Sequence, residues 1–171
     1  MKALIIYSTR GGVSRQCAEI LSSRLMPAID TDVFDINAAP PSPEKFDVIV
    51  IGGSIRMGTL NRKLKRYITE YMDILSKKQT AIFLCCGLTE SFDDYVSVNI
   101  PKSLNASLGV FCFGGELKPD KLRGFDKLAV WAMRQSVKNE DFESHNTTRS
   151  PLPEMIPENI YILADKIRSL L

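Results

Sequence analysis

Strand-length apolar runs alternate with amphipathic helical patterns along this chain of 171 residues. The apolar runs predict strands at 2–7, 32–36, 47–51, 80–86 and 110–113. Helical spacing of apolar residues predicts helices at about 13–26, 60–76 and 125–138, and a last helix that begins at Pro157. Strands that alternate with helices form parallel sheets with helices on both faces. We therefore predict a single α/β domain over residues 1–171 with a five-stranded parallel sheet.

Two segments depart from this alternation. Residues 92–104 include Asp93 and Asp94, which favour the first turn of a short helix, but Pro101 interrupts the helical pattern. Residues 139–153 are polar and irregular, so we predict a mobile loop there.

The composition is ordinary for a globular protein, with 44% hydrophobic and 25% charged residues. No apolar run reaches the ~20 residues that a membrane-spanning helix needs, and the first strand follows Met1 too closely for a signal peptide. The cysteines lie in apolar segments and lack the C-x-x-C spacing of a zinc site or a redox dithiol. We therefore expect free, buried thiols and a cytoplasmic location. The four cysteines are Cys17, Cys85, Cys86 and Cys112.

The loop between the first strand and the first helix is rich in hydroxyl and glycine residues. The first N–H groups of a helix have no partner within the helix, and its dipole adds positive charge there, so such a loop favours a phosphate group. Serine and threonine offer hydroxyl donors, while glycine lets the backbone approach an oxygen atom closely. An ordinary strand–turn–helix connection is the alternative. The predicted phosphate loop consists of Ser8, Thr9, Arg10, Gly11, Gly12, Val13 and Ser14.

Three other phosphate-binding motifs are excluded by the residues of this loop. A Walker loop ends in Gly-Lys-Ser/Thr, and no lysine precedes the helix here. The dinucleotide fingerprint requires three glycines at G-x-G-x-x-G spacing, whereas only Gly11 and Gly12 are present. A cysteine phosphatase loop begins with a cysteine, and this loop begins with Ser8.

This strand–loop–helix sequence resembles the FMN-phosphate loop of flavodoxins. Two apolar residues and an aromatic residue precede a hydroxyl-rich loop, a small residue, a hydroxyl at the helix start and an alanine one turn later. Ser14 stands where the family usually has threonine and can make the same hydrogen bond. The resemblance implies a flavodoxin-like three-layer sandwich with sheet order 2-1-3-4-5 and one noncovalently bound FMN. The matching positions are Ile5, Ile6, Tyr7, Thr9, Gly12, Ala18 and Leu21.

Ligands of open parallel sheets bind beyond the carboxyl ends of the strands, where the strand order reverses. Two further loops rich in glycine and small polar residues, 52–58 and 86–90, follow the third and fourth predicted strands. The resemblance implies that these loops flank the flavin ring. The flavin itself would carry the chemistry, so we predict no catalytic side chain. The predicted ring-flanking residues are Gly53, Ser54, Ile55, Arg56, Met57, Gly87, Leu88 and Thr89.

The segment 51–58, Ile-Gly-Gly-Ser-Ile-Arg-Met-Gly, is similar to a loop of the flavodoxin-type, quinone-dependent protoporphyrinogen oxidases. In that family, Ile-Gly-Ala-Ser-Ile-Arg-Tyr-Gly occupies this place. The similarity continues at 113–117 and 125–126. It implies an oxidoreductase that oxidises a porphyrinogen-like substrate with a quinone as electron acceptor. Residues 88–108 are shorter and less basic than the long loop that this family carries before its fifth strand.

Two functions therefore stay open: an FMN-dependent oxidoreductase, and a noncatalytic electron-shuttle flavodoxin that serves a redox partner protein. The net charge of +2 favours the enzyme, because shuttle flavodoxins are usually strongly acidic and a cation stabilises a reduced, anionic flavin. The short segment 88–108 favours the shuttle. The ring-flanking loops lack the aromatic residues that usually stack on flavin in flavodoxins. The cations expected near the cofactor are Arg10, Arg15, Arg56, Arg62, Lys63, Lys65 and Arg66.

Three remaining features carry weaker alternatives. The basic residues at 62–66 fit a solvated helix face or a contact with nucleic acid or anionic lipid, and we predict no nucleic-acid partner. Trp131 lies off the main apolar line of the 125–138 helix, which fits core packing or a peripheral contact with a membrane quinone or a partner. His145 lies far from any predicted strand end, so no Ser-His-Asp triad is predicted.

Overall fold

The computed structural model describes residues 1–115 and 155–171. In these residues, one sheet contains β1 (Lys2–Ser8), β2 (Asp30–Asp35), β3 (Val48–Ser54), β4 (Gln79–Cys85) and β5 (Gly109–Cys112). The α-helices are α1 (Val13–Leu25), α2 (Arg62–Glu70), α3 (Met72–Lys77), α4 (Phe92–Asn99) and α5 (Pro157–Arg168). Short 3-10 turns occur at Ile36–Ala38, Pro43–Lys45 and Thr89–Ser91. The predicted helix at 125–138, the predicted loop at 139–153, Trp131 and His145 lie outside the described residues.

The five strands lie in the order β2-β1-β3-β4-β5, and the neighbouring strands are parallel. In this register, Ile5 of β1 lies beside Val33 of β2 and Val50 of β3. The chain adds β2 on one side of β1 and then β3 on the other, so the strand order reverses between β1 and β3. The predicted α/β fold with sheet order 2-1-3-4-5 is confirmed.

Each face of the sheet is covered by its own helices, because successive side chains of a strand point to opposite faces. Ile5 packs in a cluster with apolar residues of α1 and α5, whereas Leu4 packs in a second cluster with residues of α2 and α3. Both residues are fully buried. Ile160 and Leu163 of α5 are buried, whereas Leu170 is 39% exposed because the helix ends at Arg168.

β3 continues through Gly52 and Gly53, where the sequence predicts that the strand ends. These glycines permit close packing instead of a turn. A Cβ atom at Gly52 would lie 2.3 Å from the ring of Phe83, and one at Gly53 would lie 2.6 Å from Ser8 Oγ. Because both positions lack a side chain, β3 stays in register with β1 up to Gly53 and with β4 up to Ser54.

The single helix predicted at 60–76 is two helices that meet at Tyr71 (φ −107°, ψ 18°). The first begins after Asn61, whose side-chain oxygen accepts a hydrogen bond from the N–H of Lys63 (2.8 Å). Leu75 N still donates to Tyr71 O (2.9 Å), and both Leu64 and Leu75 are buried. The apolar spacing therefore continues across the break, which is why the sequence pattern does not reveal it.

Several other elements end one residue before the predicted end, among them α1 and β2. α1 ends at Leu25 because Met26 precedes Pro27, and a proline disfavours the helical conformation of the residue before it. β2 ends at Asp35, whose carboxylate accepts a hydrogen bond from Asn37 N (2.8 Å) and starts a 3-10 turn.

Candidate functional site

Three loops meet at the carboxyl ends of β1, β3 and β4, beside the point where the strand order reverses. We name them loop 1 (9–12), loop 2 (55–61) and loop 3 (86–88). The N–H of Ile55 donates to Cys85 O (2.9 Å), which ties loop 2 to the end of β4. Ligands of open α/β sheets bind at this edge. The predicted phosphate and ring-flanking residues therefore lie on one side of the molecule.

Loop 1 ends in a left-handed glycine that precedes α1. Gly12 has φ +96°, which residues with a side chain rarely adopt, and a Cβ atom there would meet nothing within 4 Å. Its N–H donates to Thr9 Oγ1 (2.8 Å), which leaves the hydrogen of the threonine hydroxyl available to a ligand. Gln16 N donates to Gly12 O (3.0 Å) at the start of the helix, so the N–H groups of Val13 and Ser14 precede the helical ladder. With no acidic residue in the first turn, the start of α1 fits an anion such as phosphate.

The other two loop hydroxyls are buried. Ser14 is 0% exposed, and its Oγ lies 2.7 Å from Ser54 Oγ. Ser8 is 4% exposed, and its Oγ lies where it would contact a Cβ atom at Gly53. These contacts hold the start of α1 and the end of β1 against the end of β3. The phosphate contacts predicted for Ser8 and Ser14 stay predictions.

Loop 2 contains a tight turn with an exposed tip. Arg56 N donates to Thr59 O (3.0 Å), and Thr59 N donates to Arg56 O (2.9 Å). The two residues between them, Met57 and Gly58, have φ values of 48° and 73°, as in a type I′ turn. The predicted ring-flanking Met57 is 89% exposed, so it presents an apolar side chain to solvent.

Arg56 connects loop 2 to loop 1. Its Nη2 atom lies 3.8 Å from the position of a Cβ atom at Gly11, and its Nε is buried. The missing side chain at Gly11 therefore gives the guanidinium room beside loop 1. Ile55, the preceding residue, is partly buried against the core. A half-buried cation at this place favours an anionic ligand.

Asn99 holds the turn of loop 2 and was not predicted as a site residue. α4, which forms in the ambiguous segment, ends at this residue. The Asn99 side chain is buried, its Oδ1 accepts from Leu60 N (2.8 Å), and its Nδ2 donates to Gly58 O (2.8 Å) and Tyr95 O (2.9 Å). An asparagine near a proline is also typical of an ordinary helix end, so the sequence carries no specific signal for this role.

Loop 3 packs against Gly115, three residues after the end of β5. A Cβ atom at Gly115 would lie 2.8 Å from the carbonyl carbon of Cys86 and 2.9 Å from Gly87 N. Gly115 therefore packs directly on the Cys86–Gly87 peptide. The predicted ring-flanking Leu88 is 37% exposed, and Thr89 is also exposed.

The cations expected near the cofactor have different surroundings. Arg10 is exposed in loop 1, whereas Arg15 Nε donates to Glu19 Oε1 (2.8 Å) on the same helix. Lys63 Nζ donates to Asn37 Oδ1 (2.8 Å). The basic side chains at 62, 63 and 66 are exposed on α2, which agrees with a solvated helix face.

The four cysteines are free, as predicted. Three of them are buried, but the prediction of burial is wrong for Cys112, which is half-buried. The physical reason is its position: Cys112 lies on β5, the strand at the edge of the sheet.

The fold and the three loops agree with a family match. The model of the flavodoxin domain matches residues 4–144 of this chain. The chain belongs to the flavodoxin family. This membership points to a flavin cofactor, and the start of α1, with its free N–H groups and no acidic residue in the first turn, fits the phosphate of such a group.

Curated relatives of this flavodoxin-family chain include the protoporphyrinogen IX dehydrogenase (quinone) of Escherichia coli strain K12. It is 33% identical over 85 residues, which cover 48% of this chain and 47% of that protein. The protein of the same name from Escherichia coli O157:H7 matches equally well. The chain thus spans about half the length of the curated relatives it matches.

Two solved structures are also similar to this chain. The rubredoxin oxygen:oxidoreductase of Desulfovibrio gigas has a TM-score of 0.50 and 9% identity, and the match covers 81% of this chain and 35% of that one. Flavodoxin 1 of Bacillus cereus has a TM-score of 0.47 and 18% identity, and the match covers 84% of this chain and 100% of that one. The first likeness supports the fold alone.

Within residues 1–115 and 155–171, no helix is both long and apolar enough to cross a membrane. The same residues contain no group of three or more His, Cys, Asp or Glu side chains arranged to hold a metal ion.

Proposed function

We propose that this protein binds one FMN noncovalently in the site formed by loops 1, 2 and 3. The observation that carries this proposal is the start of α1, where an open left-handed glycine, Gly12, precedes N–H groups that lie outside the helical ladder. The phosphate would bind the N–H groups of Val13 and Ser14 and the hydroxyl of Thr9. The flavin ring would lie between loop 2 and loop 3, beside Arg56 and Leu88.

The protein residues position the flavin and set its surroundings, while FMN supplies the electron transfer. The half-buried guanidinium of Arg56 would stabilise negative charge on the bound cofactor. The Asn99 hydrogen bonds fix the backbone of loop 2 on one side of the ring. The exposed Met57 and Leu88 leave one edge of the proposed ring site open to solvent and to a redox partner.

The finer proposal is an oxidoreductase that oxidises a porphyrinogen-like substrate with a quinone as acceptor, acting in the cytoplasm. It is supported by the 85-residue similarity to a protein named protoporphyrinogen IX dehydrogenase (quinone). The Ile-Gly-Gly-Ser-Ile-Arg-Met-Gly segment at 51–58 also supports it, because these residues form the end of β3 and loop 2, next to the proposed ring site.

A noncatalytic electron shuttle is the second candidate, and the connection between β4 and β5 favours it. That connection contains a short 3-10 turn, the eight-residue helix α4 and a compact turn at 100–108. Leu104 N donates to Pro101 O (3.0 Å), and Gly109 N donates to Ala106 O (2.8 Å), which closes the turn on itself. Little chain remains there to enclose a large macrocycle.

An anaerobic assay with the FMN-loaded protein, protoporphyrinogen IX and a water-soluble quinone separates the two candidates. The enzyme proposal predicts porphyrin fluorescence that rises only when both protein and quinone are present. An FMN-loaded protein that forms no porphyrin, yet accepts electrons from a flavodoxin reductase and passes them to cytochrome c, would be a shuttle. The apoprotein, assayed without added FMN, gives the background rate.

A further inference from the structure

Two cysteines meet at the base of loop 3. Cys112 is the last residue of β5 and the register partner of Leu84 in β4. Cys86 directly follows the end of β4, two residues after Leu84. The Sγ atoms of Cys86 and Cys112 lie 3.6 Å apart.

We propose that Cys86 and Cys112 form a reversible dithiol–disulfide site. Their sulfur atoms, 3.6 Å apart, need to approach by about 1.5 Å to reach the S–S bond length of about 2.05 Å. This proposal does not depend on FMN binding. Because Gly87 directly follows Cys86 and starts the predicted ring-flanking part of loop 3, the bond would also restrain that loop.

The two cysteines have different roles in this proposal: Cys112 is the thiol that attacks the oxidant, and Cys86 is the thiol that then forms the disulfide bond. Cys112 is half-buried and therefore within reach of a small molecule, whereas Cys86 is only 3% exposed. The thiol of Cys86 and, to a smaller extent, the N–H of Gly114 lower the pKa of Cys112, which favours the nucleophilic thiolate there. The hydrogen bond with Cys112, together with burial, raises the pKa of Cys86, which keeps Cys86 protonated until Cys112 has reacted.

The oxidant we propose is a low-molecular-weight disulfide. The Cys112 thiolate attacks one sulfur of the disulfide, the disulfide bond breaks, and one small thiolate leaves. Cys86 then loses its proton to solvent and attacks Cys112 Sγ, which expels the second small thiolate. The two protein thiols lose two electrons in total, and the small disulfide gains them as two small thiols.

A second cysteine pair provides an internal control. Cys17 and Cys85 lie with their Sγ atoms 3.9 Å apart, but the two residues are 0% and 3% exposed between α1 and β4. Proximity is therefore similar in the two pairs, but the Cys86–Cys112 pair differs in having a half-buried member, Cys112, whose pKa is lowered. The proposal predicts that the Cys17–Cys85 pair stays reduced in the folded protein.

The test treats the purified whole chain with oxidised glutathione, alkylates the remaining thiols under denaturing conditions, and measures intact mass and linked peptides. We expect two of the four thiols to become protected, a protein lighter by two hydrogen atoms, and a cross-linked peptide pair that contains Cys86 and Cys112. Dithiothreitol should restore all four thiols. Cys86→Ser should instead retain one glutathione on Cys112, Cys112→Ser should gain none, and Cys17→Ser should behave as the unchanged protein.

The proposal is overturned if the unchanged protein keeps four alkylatable thiols, stops at a stable glutathione adduct, or links Cys17 to Cys85 instead. The mass and peptide map of the unchanged protein decide the matter even if a serine variant fails to fold.

Discussion

The hydroxyl oxygens of Ser14 and Ser54 lie 2.7 Å apart, which joins the first turn of α1 to the last residue of β3. Ser14 is fully buried, and its hydroxyl also faces the thiol of Cys85 at the end of β4. The carboxyl ends of β3 and β4 are thereby connected to the start of the helix that we propose binds phosphate.

This contact predicts an energetic coupling between the two serines. Ser54→Ala leaves the buried Ser14 hydroxyl without that partner and should lower the free energy of unfolding by about 1–2 kcal/mol. The double variant, Ser14→Ala with Ser54→Ala, should lower the free energy of unfolding by less than the sum of the two single variants. The difference, the coupling energy, should be about 1 kcal/mol. Urea unfolding of the four proteins measures this coupling. Strictly additive effects would show that the two hydroxyls do not bond.

Thr9 provides a charge test of the phosphate loop. Thr9→Asp keeps an oxygen that accepts from Gly12 N but places a negative charge at the proposed phosphate site. We expect a repulsion of about 3 kcal/mol, or about a hundredfold weaker FMN binding. Thr9→Asn is the matched neutral variant and should bind FMN within about tenfold of the unchanged protein. Equal FMN affinities of the Asp and Asn variants in a fluorescence titration would place the phosphate elsewhere.

Asn99 should stabilise loop 2 through its three hydrogen bonds. Asn99→Ala leaves the N–H of Leu60 without its side-chain acceptor and the carbonyl of Gly58 without a donor, so we expect a loss of about 2–3 kcal/mol in unfolding free energy. Proteolysis between residues 56 and 60 should also become faster. Ser97→Ala, an exposed change on the same helix, should alter stability by less than about 0.5 kcal/mol. Similar stabilities of the two variants would contradict this role of Asn99.

The pH dependence of Cys112 alkylation tests the assigned thiolate. Its neighbour Cys86 and the N–H of Gly114 lower the pKa of Cys112 to about 6, so the alkylation rate should rise from acidic pH and level off above neutrality. Cys86→Ala removes the S–H donor and should move the midpoint to higher pH, whereas Cys86→Ser keeps an O–H donor and should not. Besides Cys112 and burial, Glu90 also raises the pKa of Cys86. A midpoint near the ordinary pKa of a cysteine thiol in the unchanged protein would contradict the assignment of Cys112 as the thiolate.

Much of the fold could be predicted because it depends on local patterns. Runs such as Val48–Ile51 are buried on both faces and read as strands, and the Pro157 helix begins where a proline fits its first turn. The break at Tyr71 could not be predicted, because the apolar spacing continues through it. That Gly52 belongs to β3 could not be predicted for another reason: the position must lack a side chain because the ring of Phe83 in the neighbouring strand packs against it.

In the candidate site, too, local features could be predicted from the sequence and contacts between distant residues could not. Loop 1 was predicted from its own residues, since hydroxyls and glycines between a strand and a helix carry the signal within one segment. The contacts of Asn99 with Gly58 and of Cys86 with Cys112 join residues that are distant in sequence, so only the folded chain reveals them. The burial of Ser14 against Ser54 likewise depends on the register of β1 and β3.

The central claim is that this site holds FMN by its phosphate, and a fluorescence titration of the apoprotein with FMN and with riboflavin tests it most directly. We predict an FMN Kd in the nanomolar to micromolar range, which corresponds to about 8–12 kcal/mol. Riboflavin lacks the phosphate and its charge-assisted hydrogen bonds, so it should bind at least about a hundredfold more weakly. Equal affinities for the two flavins, or no binding of FMN, would contradict the account.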